Sequence, residues 1–386
     1  MKVLGLILEL NPPHNGHKYF IDKAKELVKP DLVVAVISTN FSMRGDISVI
    51  NKFDKTRLCL DLGIDIVLEL PYTACVASAD YFCSNAVKML DAFGVTDIAF
   101  GAELDDIEAL RTLKDYYNSP KFNEAIETYL EAGFSYSNAC NKALLSLTKD
   151  LNLIENFSMP NNTLAIQYIN VIDKINEETK NKINITLVKR IDNNYFDEEA
   201  TSNIASATAI RKLMMENRDY SKYIIDNGLE YIDLREAYLR LFTIIKSTFI
   251  LKKDIYDVHN YLGIKEGIEN RIDNVCDIST SYDELVENSC TKRYTPNYIR
   301  RLLLHIILKV PQIEQTVENY RVLGFNKKGE EHIKELDKEV KSKIITGFKS
   351  LLTSESAIEL KATKLYGLLS GNEKLYLEEY QIPIKK

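Results

Sequence analysis

Glycine and proline are scarce in this chain, 15 and 9 of 386 residues, and no low-complexity tract interrupts it. Long helices and short linkers are therefore expected. No run of eighteen apolar residues occurs, so no membrane span is expected. The opening Met-Lys-Val-Leu-Gly-Leu-Ile-Leu-Glu is too short in apolar residues for a secretory signal, lacks a small-residue cleavage site, and reads as a strand. The 6 cysteines, at 59, 75, 83, 140, 276 and 290, show no CxxC spacing. Neither a zinc site nor a disulfide framework is indicated, and reduced thiols in the cytoplasm are expected. There is no P-loop lysine motif and no GxGxxG, so kinase, GTPase and dinucleotide readings lack their anchor residues. Positive charge is not in excess either. The net charge of −7 argues against a generally cationic nucleic-acid coat and leaves room for a local basic patch.

What is present is ordinary globular composition, 45% hydrophobic and 27% charged, at a length that suggests two or three domains. Apolar runs and amphipathic stretches alternate over the first two hundred residues. Strands are predicted at residues 3–8, 32–37, 64–68, 98–100 and 183–188, with helices at 18–28, 54–62 and 78–93. Gly63 and Gly94 stand where helix C-caps belong. This spacing implies βαβ units, right-handed crossovers and a Rossmann-like parallel sheet, an α/β class. Ligands of such sheets bind beyond the carboxyl ends of the strands, so the loops after strands one, two and four are where chemistry is sought. Beyond residue 216 the pattern is helical and charged, clearest at 236–251 and 298–308. A boundary near 216–230 would give a catalytic domain over 1–220 and a mainly helical C-terminal domain over 221–386.

The loop after strand one reads Glu9-Leu10-Asn11-Pro12-Pro13-His14-Asn15-Gly16-His17. Two of the chain's 5 histidines sit here, three apart. A helix N-terminus suits phosphate, Gly16 allows a close approach to the backbone, and two imidazoles can donate hydrogen bonds to a phosphate gaining charge. The pattern resembles the HxGH motif of the nucleotidyltransferase superfamily. Ser206-Ala207-Thr208-Ala209-Ile210-Arg211 resembles that group's second motif, with Ser206 capping a helix and Arg211 clamping the β- and γ-phosphates. Alone, this hexapeptide would read as an N-cap with a solvent-facing arginine; in order behind HxGH it gains specificity.

Further segments narrow the match: Ser38-Thr39-Asn40-Phe41-Ser42-Met43-Arg44-Gly45, Lys52-Phe53-Asp54-Lys55-Thr56-Arg57, Glu69-Leu70-Pro71, Phe100-Gly101-Ala102-Glu103, Pro160-Asn161-Asn162-Thr163-Leu164, Lys189-Arg190-Ile191 and Thr291-Lys292-Arg293-Tyr294 with Arg300-Arg301. Together they resemble the bacterial tRNA(Met) cytidine acetate ligase family, densely over residues 1–215 and more thinly afterwards. The resemblance implies an enzyme that activates acetate with ATP as acetyl-adenylate, releases pyrophosphate and acetylates N4 of the wobble cytidine in elongator tRNA(Met). It implies ATP contacts from Ile7 and Leu8 through the loop to Lys18, Tyr19 and Phe20, and from Gly101, one of Asn161 and Asn162, with Asn162 preferred, and Arg190. Magnesium is expected with the phosphates, and catalysis from His14, His17, Ser206 and Arg211.

RNA contact is expected from Arg44, which precedes a glycine permitting close approach, and from Lys292, Arg293, Tyr294, Arg300 and Arg301, with Tyr294 stacking on a base. Lys52, Lys55 and Arg57 would steer pyrophosphate or RNA, or form a solvated helix face. The family usually carries Tyr and Phe where this chain has Leu10 and Pro13, and Gln in place of Met43, which puts the adenine or acetate pocket in question. No membrane contact and no obligate protein partner are inferred. The alternatives are another adenylyl or cytidylyl transferase acting on a small acid or phosphate ester, and an RNA-binding protein with a decayed transferase domain.

Overall fold

The computed structural model describes residues 1–179, 182–190, 203–225, 228–251, 259–265, 267–348 and 353–386. Ile191, expected to end the late strand, and residues 226–227 of the expected boundary lie outside them. The first half runs β1 (Val3–Leu8), α1 (Asn15–Val28), β2 (Leu32–Ile37), α2 (Lys52–Asp61), β3 (Ile66–Glu69), α3 (Tyr72–Cys75), α4 (Ala79–Ala92) and β4 (Asp97–Ala102). A helical insertion follows: α5 (Ile107–Tyr117), α6 (Pro120–Glu131), α7 (Tyr136–Leu147), α8 (Leu151–Phe157) and α9 (Pro160–Glu178). Then come β5 (Asn184–Lys189), α10 (Ala207–Met215), α11 (Leu234–Ile250), α12 (Ile268–Ile278), α13 (Tyr282–Ser289) and α14 (Pro296–Leu308). The chain closes with β6 (Tyr320–Phe325), α15 (Lys327–Glu335), α16 (Lys338–Ser342), β7 (Ile344–Ile345), α17 (Ser354–Ser370) and β8 (Ile384–Lys385).

The sheet order is β5-β4-β1-β2-β3-β6-β7, with β8 beside β6. From β5 to β3 all neighbours are parallel. Strand β2 is buried at every residue, as a central parallel strand covered on both faces must be. The chain leaves β1 toward β2 and β3, then returns to place β4 on β1's other side. The order therefore reverses at β1, and a crevice opens beyond its carboxyl end. The HxGH loop grows from that end.

Strands β6, β7 and β8 lie where the sequence suggested only helices. Strand β6 runs antiparallel to β3, and Arg321 in it hides an otherwise apolar run. One face of the sheet packs α1 and α2 together with α11, α13, α14 and α17, so the core crosses the division expected near residue 220. The other face packs α4 and the insertion helices. Among the described residues no helix is long and apolar enough to cross a membrane.

A buried charge cluster ties the two ends of the chain. Lys52, at the first turn of α2, is fully buried with its Nζ 2.9 Å from Glu69 and 2.8 Å from both Glu359 and Glu379. Arg321 joins it, 3.1 Å from Glu69 and paired with Glu379. Burial pushes the Lys52 ammonium down, but Glu359, Glu379 and Glu69 outweigh it and raise its pKa. Burial and Glu69 raise Glu359, so a proton held there balances two cations against three carboxylates. Lys55 is equally buried, donating to the Ser38 and Thr39 carbonyls and the Ser38 hydroxyl. Neither lysine steers phosphate and neither makes a solvated face. Arg57 does reach the surface, where Asp54 and Glu378 pair with it.

Removing one member of a buried cluster strands the charges of the others. Lys52→Met is accordingly expected to destabilise the fold by about 3–5 kcal/mol, read from the urea midpoint and slope. A loss below ~1 kcal/mol would show that the carboxylates are neutralised without the lysine.

Candidate active site

The crevice beyond β1 is a cavity of about 480 Å³. Its walls come from the loops after β1, β2, β4 and β5 and from the N-termini of α1, α9 and α10. Of the residues in the first stretch, Ile7, Leu8, Glu9, Asn11, His14, Gly16, His17, Tyr19 and Phe20 line it. The others face elsewhere. Leu10 is fully buried in the core, Pro12 and Pro13 are buried, Asn15 donates to the carbonyls of Asn203 and Lys222, and Lys18 pairs with Asp22. The Leu10 and Pro13 substitutions thus fall outside the cavity lining, whereas Met43 is in it.

His14 is the N-cap of α1. Its Nδ1 accepts from the Gly16 N–H at 3.1 Å, and its own N–H donates to His17 Nδ1 at 3.3 Å. The two residues form a capping box built from imidazoles instead of a hydroxyl and a carboxylate. With both Nδ1 atoms accepting, each neutral ring carries its proton on Nε2. Burial, then the charges of Arg190 and Arg211, lowers the His14 pKa to about 4. Burial and His14 lower His17 well below its ordinary value. Both rings are therefore neutral donors at neutral pH, their centroids 3.9 Å apart and their planes tilted by 41°. A Cβ on Gly16 would stand 2.8 Å from His14 Cε1, so the bulky group this glycine admits is the histidine ring itself.

Ser206 caps α10, accepting from the Ala209 N–H at 3.2 Å, which leaves its own O–H to donate. Ala205, Ser206, Ala207 and Thr208 all line the cavity, so two helix N-termini open on it. Arg211 donates to the Asn11 carbonyl at 2.6 Å and lies 3.6 Å from Asp46. Asn11 is itself clamped, donating to the Ile47 carbonyl and accepting from the Val49 N–H. The second motif is thereby bolted to the first.

At the far end Gly101, Asn161 and Arg190 line the cavity beside Phe100, Leu164 and Tyr168. The Arg190 stem passes 3.3 Å from where a Gly101 Cβ would stand. Glu103 accepts from Asn161 Nδ2 at 2.5 Å and from the Asn162 N–H at 2.9 Å, fixing the start of α9. Asn162 is fully buried below, accepting from the Leu104 N–H and donating to the Asn156 carbonyl.

The basic segments divide. Arg44 lines the cavity. Gly45 has φ +81° and lies against the α14 backbone, its missing Cβ only 2.8 Å from the Arg301 nitrogen. The close approach it permits is to a helix. Arg300 turns toward Asp46 at 3.7 Å and Arg301 toward the Met43 carbonyl at 3.4 Å. Lys292 and Arg293 are exposed, and Tyr294 stacks on Tyr298 with centroids 4.9 Å apart. Sequence reasoning missed Asp46, Phe82 and Tyr168 as lining residues; an acidic residue directly after an Arg-Gly pair was the available signal for the first.

Two expectations follow. His14 titrates near 6.5 unfolded and near 4 folded, so stability is full above pH 6.5 and is lost as pH falls toward 4. This amounts to about 3 kcal/mol over the window. The acid-induced loss, followed by urea unfolding at pH 7 and pH 5, is expected to be smaller in His14→Asn, which keeps a capping acceptor. Asn161→Ala is expected to raise the KM for the cavity's nucleotide with little change in stability, while Asn162→Ala costs about 1–3 kcal/mol of stability by leaving buried groups unpaired. The reverse pattern would exchange the two roles.

Comparison with known proteins adds the following. The HIGH Nucleotidyl Transferase family model matches residues 1–380. The tRNA(Met) cytidine acetate ligase of Acetivibrio thermocellus is 32% identical, with 96% of this chain and 96% of that protein covered. The one from Thermosipho africanus is 35% identical, over 90% of this chain and 85% of that protein. The crystal structure of apo Thermotoga maritima TmcAL superposes with a TM-score of 0.83 at 30% identity, covering 100% of this chain and 99% of that one. Thermotoga maritima TmcAL bound with alpha-thio ATP gives the same TM-score at 29% identity and the same coverage.

Proposed function

This chain belongs to the tRNA(Met) cytidine acetate ligases of the HIGH nucleotidyl transferase family, and from that premise we propose how its cavity carries out the reaction. The protein is a ligase that uses ATP and modifies tRNA(Met). ATP lies with its adenosine at the Gly101, Asn161 and Arg190 end, against the apolar wall of Phe100 and Leu164. Its phosphates lie between the N-termini of α1 and α10, where the helix dipoles favour negative charge.

Acetate attacks the α-phosphorus and pyrophosphate leaves. His14 and His17 donate through Nε2 to the non-bridging oxygens as charge grows there, and being neutral they need no proton transfer to do so. Arg211, Ser206 and the α10 amides hold the departing pyrophosphate. Among the described residues no group of three or more His, Cys, Asp and Glu side chains converges as a metal cage. Magnesium would travel with the phosphates of ATP as part of the substrate, and no step here is routed through it. The acetyl group then passes to N4 of the wobble cytidine, already single-stranded in its anticodon loop. Arg44 at the cavity and the exposed Lys292 and Arg293 on the α14 side meet the RNA backbone. ATP and tRNA place the reaction in the cytoplasm.

One observation supports this reading above the rest: both imidazoles are tied back through Nδ1, which turns two fixed Nε2 donors to the cavity that also receives α10. The test is to incubate the protein with ATP, labelled acetate and unmodified elongator tRNA(Met), digest the RNA and measure N4-acetylcytidine by mass spectrometry. Product requiring all three is expected, with a loss of about a hundredfold or more in His14→Ala and His17→Ala. Full acetate-dependent ATP–pyrophosphate exchange in both variants would refute the histidine roles. Exchange with another small acid in place of acetate would move the assignment to a different adenylyl transferase.

A further inference from the structure

The second step needs a base, because the exocyclic amine of cytidine is weakly nucleophilic and must lose a proton as the amide forms. The histidines cannot serve. Their Nδ1 atoms are occupied as acceptors and their Nε2 atoms carry protons.

Three carboxylates line the cavity: Glu9, Asp46 and Glu103. Glu103 is spent on the N-terminus of α9. Asp46 lies between Arg211 at 3.6 Å and Arg300 at 3.7 Å. Glu9 differs from both. Its Oε1 accepts from the Met43 N–H at 2.8 Å. Among the described residues its Oε2 has no hydrogen-bond donor and no cation at ion-pair distance. Glu9 follows directly on the last residue of β1, on the chain between that strand and the HxGH loop. It lines the same cavity as Gly101, Asn161 and Arg190 and as Arg44, the neighbour of the residue that pins it. An acceptor base entering this cavity meets a carboxylate that lines it together with His14 and His17.

We propose that Glu9 is the catalytic base of acetyl transfer and the group that recognises the acceptor's amine, an inference that rests on the ligase reading above. One oxygen is fixed by Met43 and the other accepts an N–H of cytidine N4. N4 attacks the acetyl carbonyl carbon, and a C–N bond forms. The C–O bond to the adenylate phosphate breaks, and AMP departs with that electron pair. The proton of N4 passes to Glu9 Oε2 and from there to solvent. A carboxylate also selects for an amine, since a carbonyl oxygen at the same position, as in uridine, would be repelled by it.

The test is Glu9→Gln, which keeps an acceptor for the Met43 N–H but turns an N–H toward the incoming amine. Two rates are measured on the full chain: acetate-dependent ATP–pyrophosphate exchange, and single-turnover formation of N4-acetylcytidine in elongator tRNA(Met). Transfer is expected to fall by about a hundredfold or more. Exchange is expected to fall about tenfold less than transfer does, because Glu9 also lines the ATP cavity, with an excess of pyrophosphate released over acetylcytidine formed. Retained exchange certifies that the variant is folded. Equal losses in both rates would place Glu9 in ATP binding and overturn the proposal, as would unimpaired transfer. If the unaltered chain forms acetyl-adenylate but no N4-acetylcytidine, the ligase reading itself fails and the base with it.

Discussion

The cluster around Lys52 is the constraint on which the rest of the structure hangs. It joins α2 and β3 of the parallel sheet to β6, α17 and the Glu379 segment near the other end of the chain. Such a cluster adds little net stability compared with an apolar core, because desolvation cancels most of the Coulomb gain. What it supplies is register. The Lys52 backbone N–H donates to Asn40, and Asn40 donates to Thr363 of α17. The loop that follows β2 is therefore held by the same network that closes the chain. That loop provides Ser42, Met43, Arg44 and Asp46 to the cavity, so its wall depends on charges buried well away from it.

A second constraint is local. The HxGH turn satisfies a helix N-terminus with imidazole nitrogens, and in doing so it decides the tautomers. The capping uses only one nitrogen of each ring: Nδ1 serves the backbone, and Nε2 is left for the donor role proposed above. Burial and the neighbouring positive charges keep the rings neutral, which leaves each Nδ1 free to accept from the backbone while Nε2 keeps its proton. Gly16 is needed because a side chain there would displace the His14 ring. Four residues thus fix position, protonation and orientation together, and the motif is compact for that reason.

The same compactness explains what was legible in the sequence. Residues 3–8 and 32–37 were read as strands to the residue, and the two segments singled out at 14–17 and 206–211 both reach one cavity, because local pattern and local geometry coincide there. Strand β6 was missed because its Arg321 is paid for by glutamates distant in sequence, which no local window contains. Lys52 and Lys55 looked like a basic helix face for the same reason. The choice between Asn161 and Asn162 turns on one residue's rotation about α9, which requires the position of Glu103. Gly45 was read as an approach for a ligand when the approaching group is α14. In each case the deciding partner lies far along the chain.

The departures at Leu10 and Pro13 can now be weighed. Leu10 packs in the core beneath the loop with φ +51°, and Pro13 is buried, its carbonyl accepting from the Ile225 N–H. Aromatic rings at these positions would fill volume under the loop, at positions outside the lining of the cavity. Met43 is the substitution that faces the cavity, yet its contribution to Glu9 comes through a backbone N–H that any residue but proline supplies. The groups facing the nucleotide are thus held by backbone hydrogen bonds and helix caps, which are indifferent to the neighbouring side chains. The chain can drift at three positions of its loops while the chemistry they present stays in place.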